Sequence, residues 1–179
     1  LLHKYYMYFN PSFNVVYLSV GNGDSSLITL PYNKGNILID TGGLYNYEIV
    51  KNKTIPYLMS LGITKVDYLI TTHGDYDHMG EAINFVNNFK VEKVIFNCGE
   101  FNNLESKLIK VLDKKKIKYY GCIKKIDNLY FLQTKEYNNE NENSNVIYTE
   151  LNGYKFMFMG DAGVEKEKDI LDKYNISDI

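Results

Sequence analysis

Between Asn36 and Tyr120 short apolar runs alternate with segments of helical period, and this alternation restricts the possible folds more than any other feature of the chain. Asn36 to Asp40 reads Ile-Leu-Ile before breaking at Thr41-Gly42-Gly43, the continuous apolar run of a strand covered on both faces. Ile49, Val50, Ile55, Leu58, Met59 and Leu61 then share one helical face, with Thr54 near the N-cap, Pro56 opening the regular part and Gly62 ending it. Val66 to Ile70 predicts a strand, Met79 to Phe89 a helix, Val91 to Asn97 a strand, Leu104 to Lys116 a helix and Ile117 to Tyr120 a short strand. In the Leu104 helix, Leu104, Leu108, Val111 and Leu112 face inward. Such βαβα alternation predicts an α/β sandwich.

Two hairpins flank this unit. Phe13 to Val20 and Ser25 to Leu30 surround Gly21-Asn22-Gly23-Asp24, and Val146 to Leu151 and Tyr154 to Met159 surround Asn152-Gly153, a strong type I′ signal. Tyr137 to Asn145 is almost wholly Asn, Glu and Ser, too poor in apolar surface for core, and predicts a loop. Glu165 to Tyr174 predicts a charged helix, and Ser177-Asp178-Ile179 the first residues of a further strand. With 179 residues, 45% of them hydrophobic, the expectation is one domain with one well-packed core.

The net charge of −2 gives none of the electropositive field by which a protein holds nucleic acid through its phosphates alone. An anionic substrate therefore requires a metal or a local basic patch. Lys114, Lys115, Lys116, Lys118, Lys124 and Lys125 form such a patch, which reads either as a DNA-facing surface or as a solvated helix end. Tyr5, Tyr6 and Tyr8 near His3 read either as a base-stacking surface or as an N-terminal strand or tail. The uncharged stretch Met7 to Gly23 contains Asn, Pro, Ser and Gly and falls short of the ~20 apolar residues that span a bilayer. No signal peptide is visible, and the start at Leu1 points to a processed or excised piece. Cys98 and Cys122, the only cysteines, neither require nor exclude a disulfide and leave the compartment open.

The chemistry is concentrated in Thr71-Thr72-His73-Gly74-Asp75-Tyr76-Asp77-His78, at the carboxyl end of a strand, where α/β sheets hold ligands. A distant Asp161 follows Gly160 at the end of the second hairpin. Carboxylates crowded together raise the cost of keeping each ionised, and a cation relieves it. Imidazole with carboxylate suits Zn²⁺ or Mn²⁺, and two such ions ~3.5 to 4 Å apart can activate a shared water as nucleophile. The alternative is local: His73 and Asp75 capping the following helix, and Asp77 stabilising its N-terminus. Two of the chain's three histidines lie in this one segment, which favours the metal reading.

Thr72 to Gly80 resembles the H-x-[HD]-x-D-H-x-G signature of the metallo-β-lactamase superfamily, in the variant with Asp as the second ligand. Val20-Gly21-Asn22-Gly23-Asp24-Ser25 resembles the V-G-Q-G-D-S element of the ComEC-type competence family's hydrolase domain, and Leu38-Ile39-Asp40-Thr41-Gly42 its next element. Asn141-Glu142-Asn143-Ser144 is similar to its N-D-N-S, and Phe158-Met159-Gly160-Asp161-Ala162 to its L-T-G-D-A. The resemblance implies a metallo-β-lactamase-like αββα sandwich, incomplete at the C-terminus because the chain stops before a His-His-Gly-Ser segment that carries the last ligand. It implies two divalent ions in the complete domain, and one or none held by this chain. His73 and Asp75 would serve the first, Asp77 and His78 the second, and Asp161 would bridge them. Asn141 or Asn143 lies where many members place a histidine. Asp24, Asp40, Thr41 and Asn143 become residues that orient ligands or shape loops, with ordinary turn chemistry the competing reading for Asp24 and Asp40.

The reaction so implied is hydrolysis of a phosphodiester by metal-activated water, with Asp161 positioning the water and Asp77 accepting its proton. DNA is the substrate the resemblance implies, within a membrane protein of DNA uptake whose flanking segments hold it to the cell membrane and leave this domain outside the bilayer. No protein partner is inferred. Two other readings stand beside it: a free-standing hydrolase of a small ester, lactone or thioester, and a binding module that has lost catalysis.

Overall fold

The computed structural model describes residues 8–176. Six strands form the first sheet in chain order: β1 (Asn14–Tyr17), β2 (Ser26–Thr29), β3 (Asn36–Ile39), β4 (Lys65–Ile70), β5 (Lys90–Phe96) and β6 (Lys118–Gly121). The pairs β1–β2 and β2–β3 are antiparallel, while β3 to β6 run parallel. The second sheet is an antiparallel meander in the order β10-β9-β8-β7, built from β7 (Lys125–Ile126), β8 (Leu129–Phe131), β9 (Ile147–Leu151) and β10 (Tyr154–Phe158). Asn152-Gly153 closes its hairpin, with Leu151 opposite Tyr154.

The helices are α1 (Ile55–Ser60), α2 (Tyr76–Met79), α3 (Ala82–Asn88), α4 (Asn103–Lys115) and α5 (Val164–Lys173). Alternation along the strands sorts the core into layers. Leu38 packs with Leu58, Phe85, Leu108 and Leu112 beneath α1, α3 and α4. Its neighbours Ile37 and Ile39 point the other way, onto Phe131 and Ile147 of the second sheet. Ile170 of α5 covers that sheet's outer side against Leu132 and Val146. The result is the α-β-β-α sandwich expected from the sequence.

Local structure departs from expectation in several places. Thr54 does not cap α1: it is itself helical, at φ −63° and ψ −53°, makes no capping hydrogen bond, and continues a π-helical turn over Val50–Thr54. A cap requires an extended backbone there, which that wide turn removes. The helix expected over Met79 to Phe89 is broken in two, because the Glu81 N–H is drawn away to the Gly42 carbonyl at 3.1 Å. Leu108 and Leu112 are fully buried as expected, while Leu104 and Val111 are only partly so.

Cys98 and Cys122 are joined in a disulfide that ties the end of β5 to the residue after β6. The Asn-rich loop is pinned rather than loose: Asn145 donates its backbone N–H to Thr72 O at 2.6 Å and its amide to Thr71 O at 3.1 Å. Lys114 to Lys116 end α4, and Lys118 pairs with Lys93 early in β5, so this part of the basic cluster lies at the opposite end of the parallel strands from the His73 loop. Tyr8 is half exposed. His3, Tyr5, Tyr6 and the strand expected from Ser177 lie outside the described residues. Among the described residues no helix is long and apolar enough to cross a membrane.

Candidate metal centre

Buried β4 carries the chain into Thr71, Thr72 and His73, all essentially inaccessible to solvent. Asp40, just past β3, is held in the left-handed region at φ 57° with its N–H donating to Ile70 O at 2.8 Å. Its carboxylate is buried and collects three donors: Thr72 N–H at 2.8 Å, the Thr72 hydroxyl at 2.6 Å and His78 Nδ1 at 2.9 Å. With Nδ1 committed to Asp40, His78 presents Nε2 to Asp161, 3.0 Å from Oδ1. A carboxylate behind an imidazole in this way fixes the tautomer and ring orientation of a metal-binding histidine.

His73 lies beside it, the two ring centroids 4.3 Å apart. Its Nδ1 is 3.1 Å from the Thr72 hydroxyl, while Nε2 is buried without a hydrogen-bond partner. Asp75 Oδ2 is 3.5 Å from that nitrogen, within ion-pair range but not in hydrogen-bonding geometry. An unpartnered buried imidazole nitrogen is costly unless something else meets it. Ligand atoms of His73, His78 and Asp161 all lie within 4.8 Å of one another. Two imidazole nitrogens and one carboxylate oxygen, one nitrogen left orphaned by the protein, form a donor set that fits a divalent cation.

Electrostatics favour positive charge at this point. Burial pushes the His78 imidazole down, but the hydrogen bond it donates to Asp40 and the charges of Asp40, Asp161 and Asp77 outweigh it and raise the pKa to about 9. Burial also holds Asp40 above the ordinary carboxylate range, although His78 and Thr72 pull it back. A proton and a metal ion therefore answer the same negative potential and compete for His78 Nε2.

The remaining sequence candidates fall into distinct places. Asp75 has an N-cap backbone at the start of α2, yet its side chain makes no cap and stays near His73. Asp77 stands apart from the three converging ligands and contributes charge to His78. Thr41 holds the His78 backbone, donating its N–H to His78 O at 2.8 Å. Asp24 accepts the Gly42 N–H at 3.0 Å through its carbonyl and, with Asp40, Thr72 and Gly160, lines a cavity of about 260 Å³ beside the centre. Asn143 folds back on its own loop, its amide bonded to both N–H and C=O of Tyr137 at 2.9 and 2.8 Å.

Residues to which the sequence assigned no role also position the ligands. Ser144 Oγ accepts the Asp161 N–H at 3.2 Å. Gly160 sits at φ 55°, where a Cβ would lie 2.8 Å from Thr72 Cβ, so glycine permits the close approach of the Asp161 turn to the His73 loop. Gly74 is held on both sides, its carbonyl by the Asn102 amide at 2.8 Å and its N–H by Glu140 at 3.1 Å. The sequence singled out neither Thr72, although it adjoins His73, nor Glu140, which is distant in the chain. Behind Asn102, Glu105 is fully buried and its carboxyl is raised by that burial to about 7.

Residues 18–177 match the Metallo-beta-lactamase superfamily, and the chain belongs to it. Its αββα layers and its His73–His78–Asp161 donor set agree with that superfamily's character as divalent-metal hydrolases. In sequence the chain is similar to ComE operon protein 3 of Bacillus subtilis (strain 168), with 28% identity over 181 residues that cover 88% of this chain. Those residues are 23% of that protein, so the chain spans about a quarter of its relative. Among solved structures it is similar to a diphosphatase of the PhnP family at 15% identity, over 73% of this chain and 49% of that one, with a TM-score of 0.38, too low to support any inference.

Proposed function

We propose that the chain is the metal-dependent hydrolase domain of a ComEC-like protein of DNA uptake in the cell membrane, outside the bilayer, and that it cleaves the phosphodiester backbone of DNA. The observation that carries this reading is the convergence of ligand atoms of His73, His78 and Asp161 within 4.8 Å of one another, with Asp40 orienting the His78 imidazole from behind. His73, His78 and Asp161 would hold the first divalent ion, Zn²⁺ or Mn²⁺, with Asp75 beside His73. Asp77, which stands apart from these three, would serve a second ion together with Asp161, so that His78, expected from the resemblance at the second ion, moves to the first. When bound, such ions supply a nucleophilic water at neutral pH and neutralise charge that develops on phosphate oxygens.

The chain's own residues divide the rest of the work. Asp40 and Thr72 fix the imidazoles. Ser144 and Gly160 set the position of Asp161. Asp77, partly exposed and close enough to His78 to act on its charge, would accept a proton. A net charge of −2 leaves the metals as the principal attraction for an anionic backbone. The test is metal content and cleavage of single-stranded DNA with Mn²⁺ or Zn²⁺ supplied, in the wild type and in His78→Ala. The variant is expected to lose bound metal and at least about a hundredfold in rate, the scale seen for loss of electrostatic transition-state stabilisation. Equal metal content and equal cleavage in both would overturn the assignment.

A further inference from the structure

Tyr45 and Tyr76 lie face to face, their centroids 4.4 Å apart and their planes within 1°. Tyr45 nevertheless leaves 78% of its surface in solvent. The rings come from two segments at the same end of the first sheet, Tyr45 from the loop after β3 and Tyr76 from the first position of α2, between Asp75 and Asp77. Their relative position is fixed by the backbone. Gly43 approaches the Tyr76 carbonyl so closely that a Cβ there would lie 1.9 Å from the oxygen, and the Gly80 N–H donates to the same carbonyl at 2.7 Å. A bridge between Leu44 and Tyr47 closes the loop that presents Tyr45.

One face of Tyr45 is thus occupied by a parallel ring and the other is offered to water, and the backing ring belongs to the same short segment, His73 to His78, that supplies both histidines of the candidate metal centre. A flat aromatic surface so placed continues a stack with another flat π-system. Base stacking is also the contact that suits a protein whose net charge of −2 provides little attraction for phosphate.

We propose that Tyr45, backed by Tyr76, is a stacking subsite for a nucleobase of single-stranded DNA next to the phosphodiester at the metal centre. The choice of DNA rests on the phosphodiesterase reading above; the stacking geometry does not. Because the chain has no tryptophan, Tyr45→Trp introduces a single fluorescent reporter. In the metal-loaded full chain its emission is expected to be quenched saturably by a short oligothymidylate and not by an abasic oligomer of the same length. Tyr45→Ala is expected to weaken oligothymidylate binding about tenfold, on the scale of one base–aromatic stack, and Tyr45→Phe to retain it. Equal quenching by both oligomers, or unchanged affinity in Tyr45→Ala, overturns the subsite. Base-dependent quenching in a protein that cleaves no DNA supports the subsite and overturns the phosphodiesterase reading instead.

Discussion

Replacing Asp40 by Asn removes one negative charge from the centre of the ligand-orienting network while keeping the shape of the side chain. Asp40 is fully buried and accepts from Thr72 twice and from His78 once, so the amide must turn a donor toward at least one of them. In the wild type His78 stands at about 9 against an ordinary 6.5, which at about 1.36 kcal/mol per pH unit is about 3 kcal/mol in favour of the imidazolium. Burial alone would push it below 6.5, and Asp40 supplies the leading contributions that reverse the direction. The variant's His78 is therefore expected to titrate at or below the ordinary value. Since the wild-type pKa is raised, the stability it contributes is fully present below pH 6.5 and lost as pH rises through about 9. Urea unfolding of the chelator-treated wild type should show a fall of up to about 3 kcal/mol over that window, and Asp40→Asn little change. Metal affinity should drop about 10- to 100-fold, the usual cost of losing a carboxylate behind a ligating histidine. A His78 resonance that titrates at the same pH in both proteins, with parallel stability profiles, would refute the reasoning.

Three further perturbations follow from the same geometry. The Cys98–Cys122 disulfide closes a loop with a sequence separation of 24, so its removal by a double Cys→Ser substitution should cost about 3.5 kcal/mol in denaturant unfolding, with a reducing agent lowering only the wild type. Gly160→Ala places a Cβ at φ 55° and 2.8 Å from Thr72 Cβ; a loss of about 2 kcal/mol and of bound metal is expected, read by thermal unfolding and metal analysis. Glu105 is raised by burial to about 7, so its contribution is present below about 4.5 and lost as pH rises through 7. Glu105→Gln should consequently stabilise the protein by up to about 3 kcal/mol at pH 8 and hardly at all at pH 4.5, measured by urea unfolding at both.

Much of the fold is legible because period and face are local properties. Ile37-Leu38-Ile39 alternates between helices and second sheet, and an all-apolar strand predicts burial on both sides before any neighbour is known. Asn152-Gly153 likewise specifies its hairpin through the backbone conformations those residues accept. Boundaries governed by distant partners were not legible. The break after Met79 depends on the Gly42 carbonyl, and the failure of Thr54 as a cap depends on the wide turn before it.

By itself the sequence determined the sandwich class and brought His73, Asp75, Asp77 and His78 into one loop, since they are neighbours in the chain. Only the tertiary structure decided which of them converge, because Asp161, Asp40 and Ser144 reach the loop from other strands and turns. It also decided that the two cysteines pair, and that Asn143 braces its own loop. The physical reason is common to all of these. A donor or acceptor finds its partner according to how sheets and loops bring backbones together, and spacing along the chain does not record that distance.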